Sequence, residues 1–149
     1  MEKLSLEGLN FEAIDLKIKE KILTITLNRP EKKNAINNVM MNELNYSLAF
    51  AKQEDTIRVV VISAKGDIFC AGADLRKSNS ESNIPKLLNA DDISLSLRHL
   101  YKPVICKIQG PVLAGALLMV TNSSHAISVN TATFSAPEIH RGCLLYTSP

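Results

Sequence analysis

Two stretches rich in small residues carry the chemistry of this chain. The first is Gly66-Asp67-Ile68-Phe69-Cys70-Ala71-Gly72-Ala73-Asp74-Leu75; the second runs from Lys102-Pro103-Val104-Ile105 through Gly110 to Ala114-Gly115-Ala116. Each puts glycine and alanine where a buried strand gives way to the start of a helix. At such a junction the first backbone N–H groups lack helical partners and point outward, and small side chains leave them open to a ligand. Two of these amides aimed at one point form a trap for negative charge developing on an oxygen atom.

The flanking sequence supplies the elements that must hold those turns. Residues 11–19 and 22–27 read as strands. In the second, Leu23, Ile25 and Leu27 alternate with Thr24 and Thr26, a period of two in β-branched company, and Glu20-Lys21 makes the turn between the two. Leu27-Asn28-Arg29-Pro30 closes that strand, because proline offers no ladder N–H and disfavours a helical residue before it. Asn34 is then placed to N-cap a helix predicted over 35–52, with Ile36, Met40, Leu44 and Leu48 at helical spacing. Val59-Val60-Val61-Ile62, within a strand over 58–63, is the continuous apolar run of a strand covered on both faces. A polar loop over 77–83 leads to a helix over 84–100, with Asn89-Ala90-Asp91-Asp92 as its break point. A buried strand over 103–108, a short buried helix over 113–120 and strands over 125–129 and 133–136 follow. Buried strands alternating with helices imply α/β layers in a single domain.

These stretches join two further motifs, Asn28-Arg29-Pro30 with Asn34-Ala35, and Phe134-Ser135-Ala136-Pro137-Glu138. In order and spacing over residues 11–142 the set resembles the crotonase (enoyl-CoA hydratase/isomerase) superfamily. The resemblance implies the α/β crotonase (ClpP-like) spiral, repeated ββα units forming two near-perpendicular sheets edged by helices, assembled as a homotrimer or hexamer. It implies an acyl-CoA substrate whose thioester oxygen sits between two amides, those of Ala73 and Gly115. It makes Asp74 the cap of a following helix, puts the backbone around Ala71 and Gly72 at the adenine pocket, and sets Arg76 near the CoA 3′-phosphate. CoA arrives as part of the substrate, so neither a separate cofactor nor a metal is implied.

The departures from the family pattern matter most for chemistry. Hydratases of this family use two glutamates that share a water. Glu138 holds the second position, but the first, twenty residues earlier, is Leu118, which is left as a substrate-lining residue. Syn hydration of an α,β-unsaturated thioester needs a base for the water at Cβ and an acid for Cα, which two carboxyls supply together. One glutamate suffices to carry a proton between allylic carbons. The family's three-glycine turn has become Ala114-Gly115-Ala116, which fits if both alanines keep φ negative. The Cys-Asp common after the helix is replaced by Ser123-Ser124. His140 and Arg141 lie just past Glu138; His140, like His99 and His125, reads as exposed or structural. The leading expectation is an acyl-CoA-binding enzyme of fatty-acid or branched-acid metabolism that stabilises a thioester enolate. The alternatives are a Δ3,Δ2-enoyl-CoA isomerase using Glu138 alone, and a non-catalytic acyl-CoA-binding or oligomer-forming subunit.

Composition sets the outer bounds. The 149 residues are 46% hydrophobic and 21% charged, ordinary globular values that allow one core but not two. A net charge of +2 gives no argument for nucleic acid or a membrane surface. No apolar run approaches the ~18–20 residues of a membrane span, and from the charged N-terminus no signal peptide is expected. Cys70, Cys106 and Cys143 have no disulfide or metal spacing, so thiols in a reducing cytoplasm are expected. The ending, Cys143-Leu144-Leu145-Tyr146-Thr147-Ser148-Pro149, breaks the texture of the rest and matches, in order, one translated frame of a widely used transposon-type sequencing adapter. The expectation is therefore a crotonase-like core over 1–142 that lacks the family's C-terminal helical part, an artefactual tail over 143–149, and no activity in the chain as it stands.

Overall fold

A computed structural model of the chain describes residues 3–76, 82–87 and 92–141; the tail over 143–149 lies outside the described residues. The order is β1 (Ile14–Lys19), β2 (Ile22–Leu27), α1 (Asn38–Gln53), β3 (Val59–Ala64), α2 (Ile93–Arg98), β4 (Val104–Ile108), β5 (Val112–Leu113), α3 (Ala116–Thr121), β6 (His125–Ser128) and β7 (Phe134–Ser135). Short 3₁₀ turns occupy Pro30–Lys32 and Pro137–Arg141. β1 and β2 form an antiparallel hairpin, and β3, β4 and β6 extend it in parallel, giving the order β1-β2-β3-β4-β6. The hairpin residues Glu20 and Lys21 both have positive φ, 49° and 68°, the turn geometry that matches right-handed strand twist. β5 and β7 make a separate two-stranded parallel sheet.

The period of two in β2 is realised directly. Leu23, Ile25 and Leu27 are wholly buried, in one cluster with Val60 and Ile62 of β3 and Val39, Met40, Leu44 and Leu48 of α1. Each such side chain contributes about 1.5–3 kcal/mol by leaving water. The run in β3 is covered less evenly than its composition suggests: Val60 and Ile62 are buried, but Val59 and Val61 only half so. β6 is exposed along its whole length, with Ile127 at 65%. Cys70 and Cys106 are buried as expected, and burial pushes both thiols up to about 11, so neither is a nucleophile at neutral pH.

Several boundaries differ from the sequence expectation, each for a local reason. α1 starts at Asn38, because Asn37 takes the cap and its Oδ1 accepts the Met40 N–H at 2.9 Å. Asn34 is held in the left-handed region at φ 52° and does other work. Of the helix expected over 84–100, residues 84–87 are irregular, 88–91 lie outside the described residues, and α2 starts where Asp92 Oδ1 accepts from the Ser94 and Leu95 amides. Val112 and Leu113 join β7 as strand, so α3 begins only at Ala116. At the other end of α1, Lys102 Nζ donates to the Ala51 and Glu54 carbonyls at 2.6 and 2.8 Å, a cation on terminal acceptors.

One buried charge has no precedent in the sequence reading. Glu43 of α1 is wholly buried, and its carboxylate accepts the Glu12, Ala13 and Ile14 amides at 2.8, 2.9 and 3.1 Å. Burial raises its carboxyl above the ordinary 4.5, with the three N–H donors pulling the other way. It fastens the start of β1 to α1. No helix among the described residues is long and apolar enough to cross a membrane.

Candidate active site

The first small-residue turn follows β3, and the second stretch leaves the carboxyl end of the neighbouring parallel strand β4 at Gly110 and passes through β5 to reach Gly115. Open α/β sheets take ligands at such ends. Backbone pairing welds the turns together. The Phe69 and Cys70 amides donate to Pro111 O at 3.0 and 3.4 Å, and Leu113 N donates to Cys70 O at 3.0 Å, making a parallel bridge between Cys70 and Val112. Gly110 permits the approach: a Cβ there would fall 1.9 Å from Asp67 O.

Ala73 sits in a second bridge, opposite Ile36. Ile36 N donates to Gly72 O at 2.8 Å and Asp74 N donates to Ile36 O at 2.9 Å. The rungs use the groups flanking Ala73, so its own N–H faces away from Ile36. No acceptor among the described residues takes that N–H, nor the N–H of Gly115. Gly72 has φ 85°, and a Cβ on it would stand 3.2 Å from Gly115 N. The Ala73 nitrogen is bonded to the Gly72 carbonyl carbon, so covalent reach keeps it within roughly 7 Å of Gly115 N. A Cβ on Gly115 would meet nothing within 4 Å, so the space before that turn is open.

Asn34 and Arg29 explain the Asn-Arg-Pro and Asn-Ala motif. Asn34 is wholly buried; its Oδ1 accepts the Arg29 N–H at 2.9 Å, and its Nδ2 donates to Lys65 O at 2.8 Å and Ile68 O at 2.9 Å. It clasps the turn after β2 to the loop after β3 instead of capping α1. The Arg29 guanidinium donates through Nη1 to Ala35 O and through Nη2 to Asp74 Oδ2 at 3.3 Å. Sequence reasoning placed Arg29 in a motif without a role; the signal available was an arginine in one motif and an aspartate in the next.

Asp74 opens no helix among the described residues, since Leu75 and Arg76 are irregular. Its carboxylate instead takes Arg76 Nε at 3.1 Å and Arg29, and the Arg76 bonds, then Arg29, hold its carboxyl below the ordinary 3.8. Arg76, 64% exposed, is thus engaged within the chain, with its guanidinium still reachable from solvent. Ala71 donates its N–H to Lys33 O at 3.0 Å, which leaves its carbonyl as the group to face a ligand.

The Gly115 turn carries strain at one of the two alanines expected to keep φ negative. Ala116 enters α3, but Ala114 has φ 57°, a conformation costing a side-chain-bearing residue about 1–2 kcal/mol. Its N–H donates to Ser135 O at 2.9 Å, which brings β7 against the turn. Glu138 follows three residues later in the 3₁₀ turn Pro137–Arg141, and its Oε2 is buried without a hydrogen-bond partner among the described residues. Such an oxygen costs free energy unless something else occupies it. Leu118, one turn into α3, is 40% exposed, and His140 is exposed.

Comparison with known proteins gives a consistent answer. The enoyl-CoA hydratase/isomerase family profile matches residues 17–145. A mevalonyl-coenzyme A hydratase of Aspergillus fumigatus is 35% identical over 124 residues, 81% of this chain and 46% of that protein. A 1,2-epoxyphenylacetyl-CoA isomerase of Escherichia coli is 30% identical over 128 residues, 78% of this chain and 47% of that protein. The crystal structure of an enoyl-CoA hydratase/isomerase from Mycobacterium paratuberculosis superposes with a TM-score of 0.76 at 27% identity, covering 89% of this chain and 54% of that one. The chain spans about half the length of the curated relatives it matches. It has the crotonase fold and belongs to the enoyl-CoA hydratase/isomerase family.

Proposed function

We propose that the full-length protein is an acyl-CoA enzyme that stabilises a thioester enolate between the amides of Ala73 and Gly115 and moves protons with Glu138. The observation that carries this reading is the pair of N–H groups, without an acceptor among the described residues, on two turns joined by the Cys70–Val112 bridge. Preorganised donors of this kind stabilise charge that appears on the carbonyl oxygen as the Cα proton leaves. In the same reading the Ala71 carbonyl and Gly72 border the adenine, and Arg76 reaches the CoA 3′-phosphate. Assembly as a homotrimer or hexamer and a cytoplasmic location are proposed from the family resemblance.

Leu118 favours double-bond isomerisation over hydration. A leucine neither activates a water nor delivers a proton, which leaves Glu138, whose buried Oε2 has no partner among the described residues, as the group that shuttles a proton between allylic carbons. The relatives include a mevalonyl-coenzyme A hydratase and a 1,2-epoxyphenylacetyl-CoA isomerase, so the carboxylate count and not overall similarity supports the choice. The test is an assay of the full-length protein on a trans-3-enoyl-CoA and on crotonyl-CoA. Isomerisation of the first with slow hydration of the second is expected. Glu138→Gln should lower isomerisation by about 10²–10⁴-fold while CoA thioester binding persists. Binding without turnover of either thioester would make the protein a non-catalytic acyl-CoA-binding subunit. Hydration of crotonyl-CoA at the rate of two-glutamate relatives would contradict the role given to Leu118.

A further inference from the structure

Arg29 is a largely buried cation beside these turns that the proton chemistry leaves unused, with a side chain 16% exposed. Its guanidinium spans two segments of chain, donating through Nη1 to Ala35 O and through Nη2 to Asp74 Oδ2. Ala35 precedes Ile36 and Asp74 follows Ala73, and Ile36 and Ala73 form the isolated bridge that turns the Ala73 N–H outward. The guanidinium therefore closes, through one backbone carbonyl and one side chain, over the same rung that the two backbone bonds close. A single rung at the edge of a loop leaves a peptide plane free to tilt. A planar fork with donors in fixed directions removes that freedom, whereas an ammonium on a flexible stem does not.

We propose that Arg29 is a positioning residue for the enolate chemistry, anchored on Asp74, that fixes the direction of the Ala73 amide. The proposal rests on reading Ala73 and Gly115 as the pair that holds the thioester oxygen. Arg76 meets Asp74 from the solvent side and is 64% exposed, so it does not substitute for the buried fork.

The experiment uses the full-length protein with acetyl-CoA carrying ¹³C at the thioester carbonyl, read by difference infrared spectroscopy. Hydrogen bonds donated to that carbonyl lower its stretching frequency on binding. Arg29→Lys keeps the charge and loses the fork; it should lose at least half of the wild-type shift. Its Kd for acetyl-CoA should stay within about threefold, and enolate-forming turnover should fall about 10-fold or more, in line with the sensitivity of reaction rates to small misplacements. Asp74→Ala removes the anchor and gives an independent answer if Arg29→Lys does not fold. Were the Asp74 carboxylate important only for its charge, removing it would strengthen the carbonyl shift; positioning predicts that the shift weakens. A wild-type-sized or larger shift in either folded variant overturns the proposal. No shift in the wild-type protein overturns the two-amide reading itself and this inference with it.

Discussion

The turns that carry the two free amides are built on opposite plans. The Ala73 turn is fixed by side chains from elsewhere: Asn34 ties its approach to the Arg29 turn, Arg29 ties down Asp74, and a glycine occupies the left-handed position at Gly72. The Gly115 turn is fixed by backbone contacts to β7 and to Cys70, and an alanine, Ala114, occupies its left-handed position. One turn is over-determined; the other stores strain. The same fold can thus aim an amide either by accumulating polar anchors or by forcing a conformation, and the two respond differently to mutation.

The largest expected effect falls on the anchored turn. Asn34→Ala strands the Arg29 amide and the Lys65 and Ile68 carbonyls, and places alanine at φ 52°, which asparagine tolerates better. Urea unfolding should show a loss of about 3–5 kcal/mol. A loss below about 1 kcal/mol would mean that the clasp is not what organises the turn. Next comes the contact between the turns. Gly72→Ala adds a methyl 2.7 Å from Ala114 Cβ at a φ of 85° and should cost about 2–4 kcal/mol. Adding Ala114→Gly removes the closest contact but neither the approaches to Leu113 O and Gly115 N, 3.1 and 3.2 Å, nor the dihedral strain, so the double variant should recover about 1 kcal/mol of that loss. Strict additivity of the two substitutions would show that the turns do not touch in solution.

Ala114→Gly alone sharpens the comparison from the other side. Relief of left-handed strain outweighs the added backbone freedom of glycine only slightly, so stability should rise by about 0.5 kcal/mol and Tm by about 1–2 °C. A fall in Tm would show that the methyl does more packing than straining. The smallest effect is on pH dependence. The folded Asp74 carboxyl lies below 3.8, so its pairing stabilises the fold above that pH and is lost as pH falls through the folded value. The Tm difference between wild type and Asp74→Asn should be constant from pH 5 to 7 and shrink below about pH 4. A difference that grows on acidification would reverse the assignment.

What was legible in the sequence follows from the range of each signal. β2, β3 and β4 could be read because burial on a pleated strand imposes a local pattern, and the small-residue turns because close backbone approach excludes larger side chains. The α1 start was misplaced because Asn34 and Asn37 carry the same side chain, and only contacts with Lys65 and Ile68 tell a clasp from a cap. Glu43 was invisible for the same reason: its partners lie at least 29 residues away. The family resemblance points to Ala73, Gly115 and Glu138 as the site proposed above but does not extend to φ 57° at Ala114, since a dihedral is decided by the β7 contact and not by the residue type. Asp74 was given a helix to cap; its carboxylate went to two arginines instead.

The central claim is that one thioester oxygen is held by two amides, and a structure of the full-length protein with a bound acyl-CoA tests it directly. The account predicts the thioester oxygen about 2.7–3.1 Å from both Ala73 N and Gly115 N, with the Cα protons toward Glu138. A carbonyl held by only one of the two, or amides facing apart across more than roughly 7 Å, would contradict it.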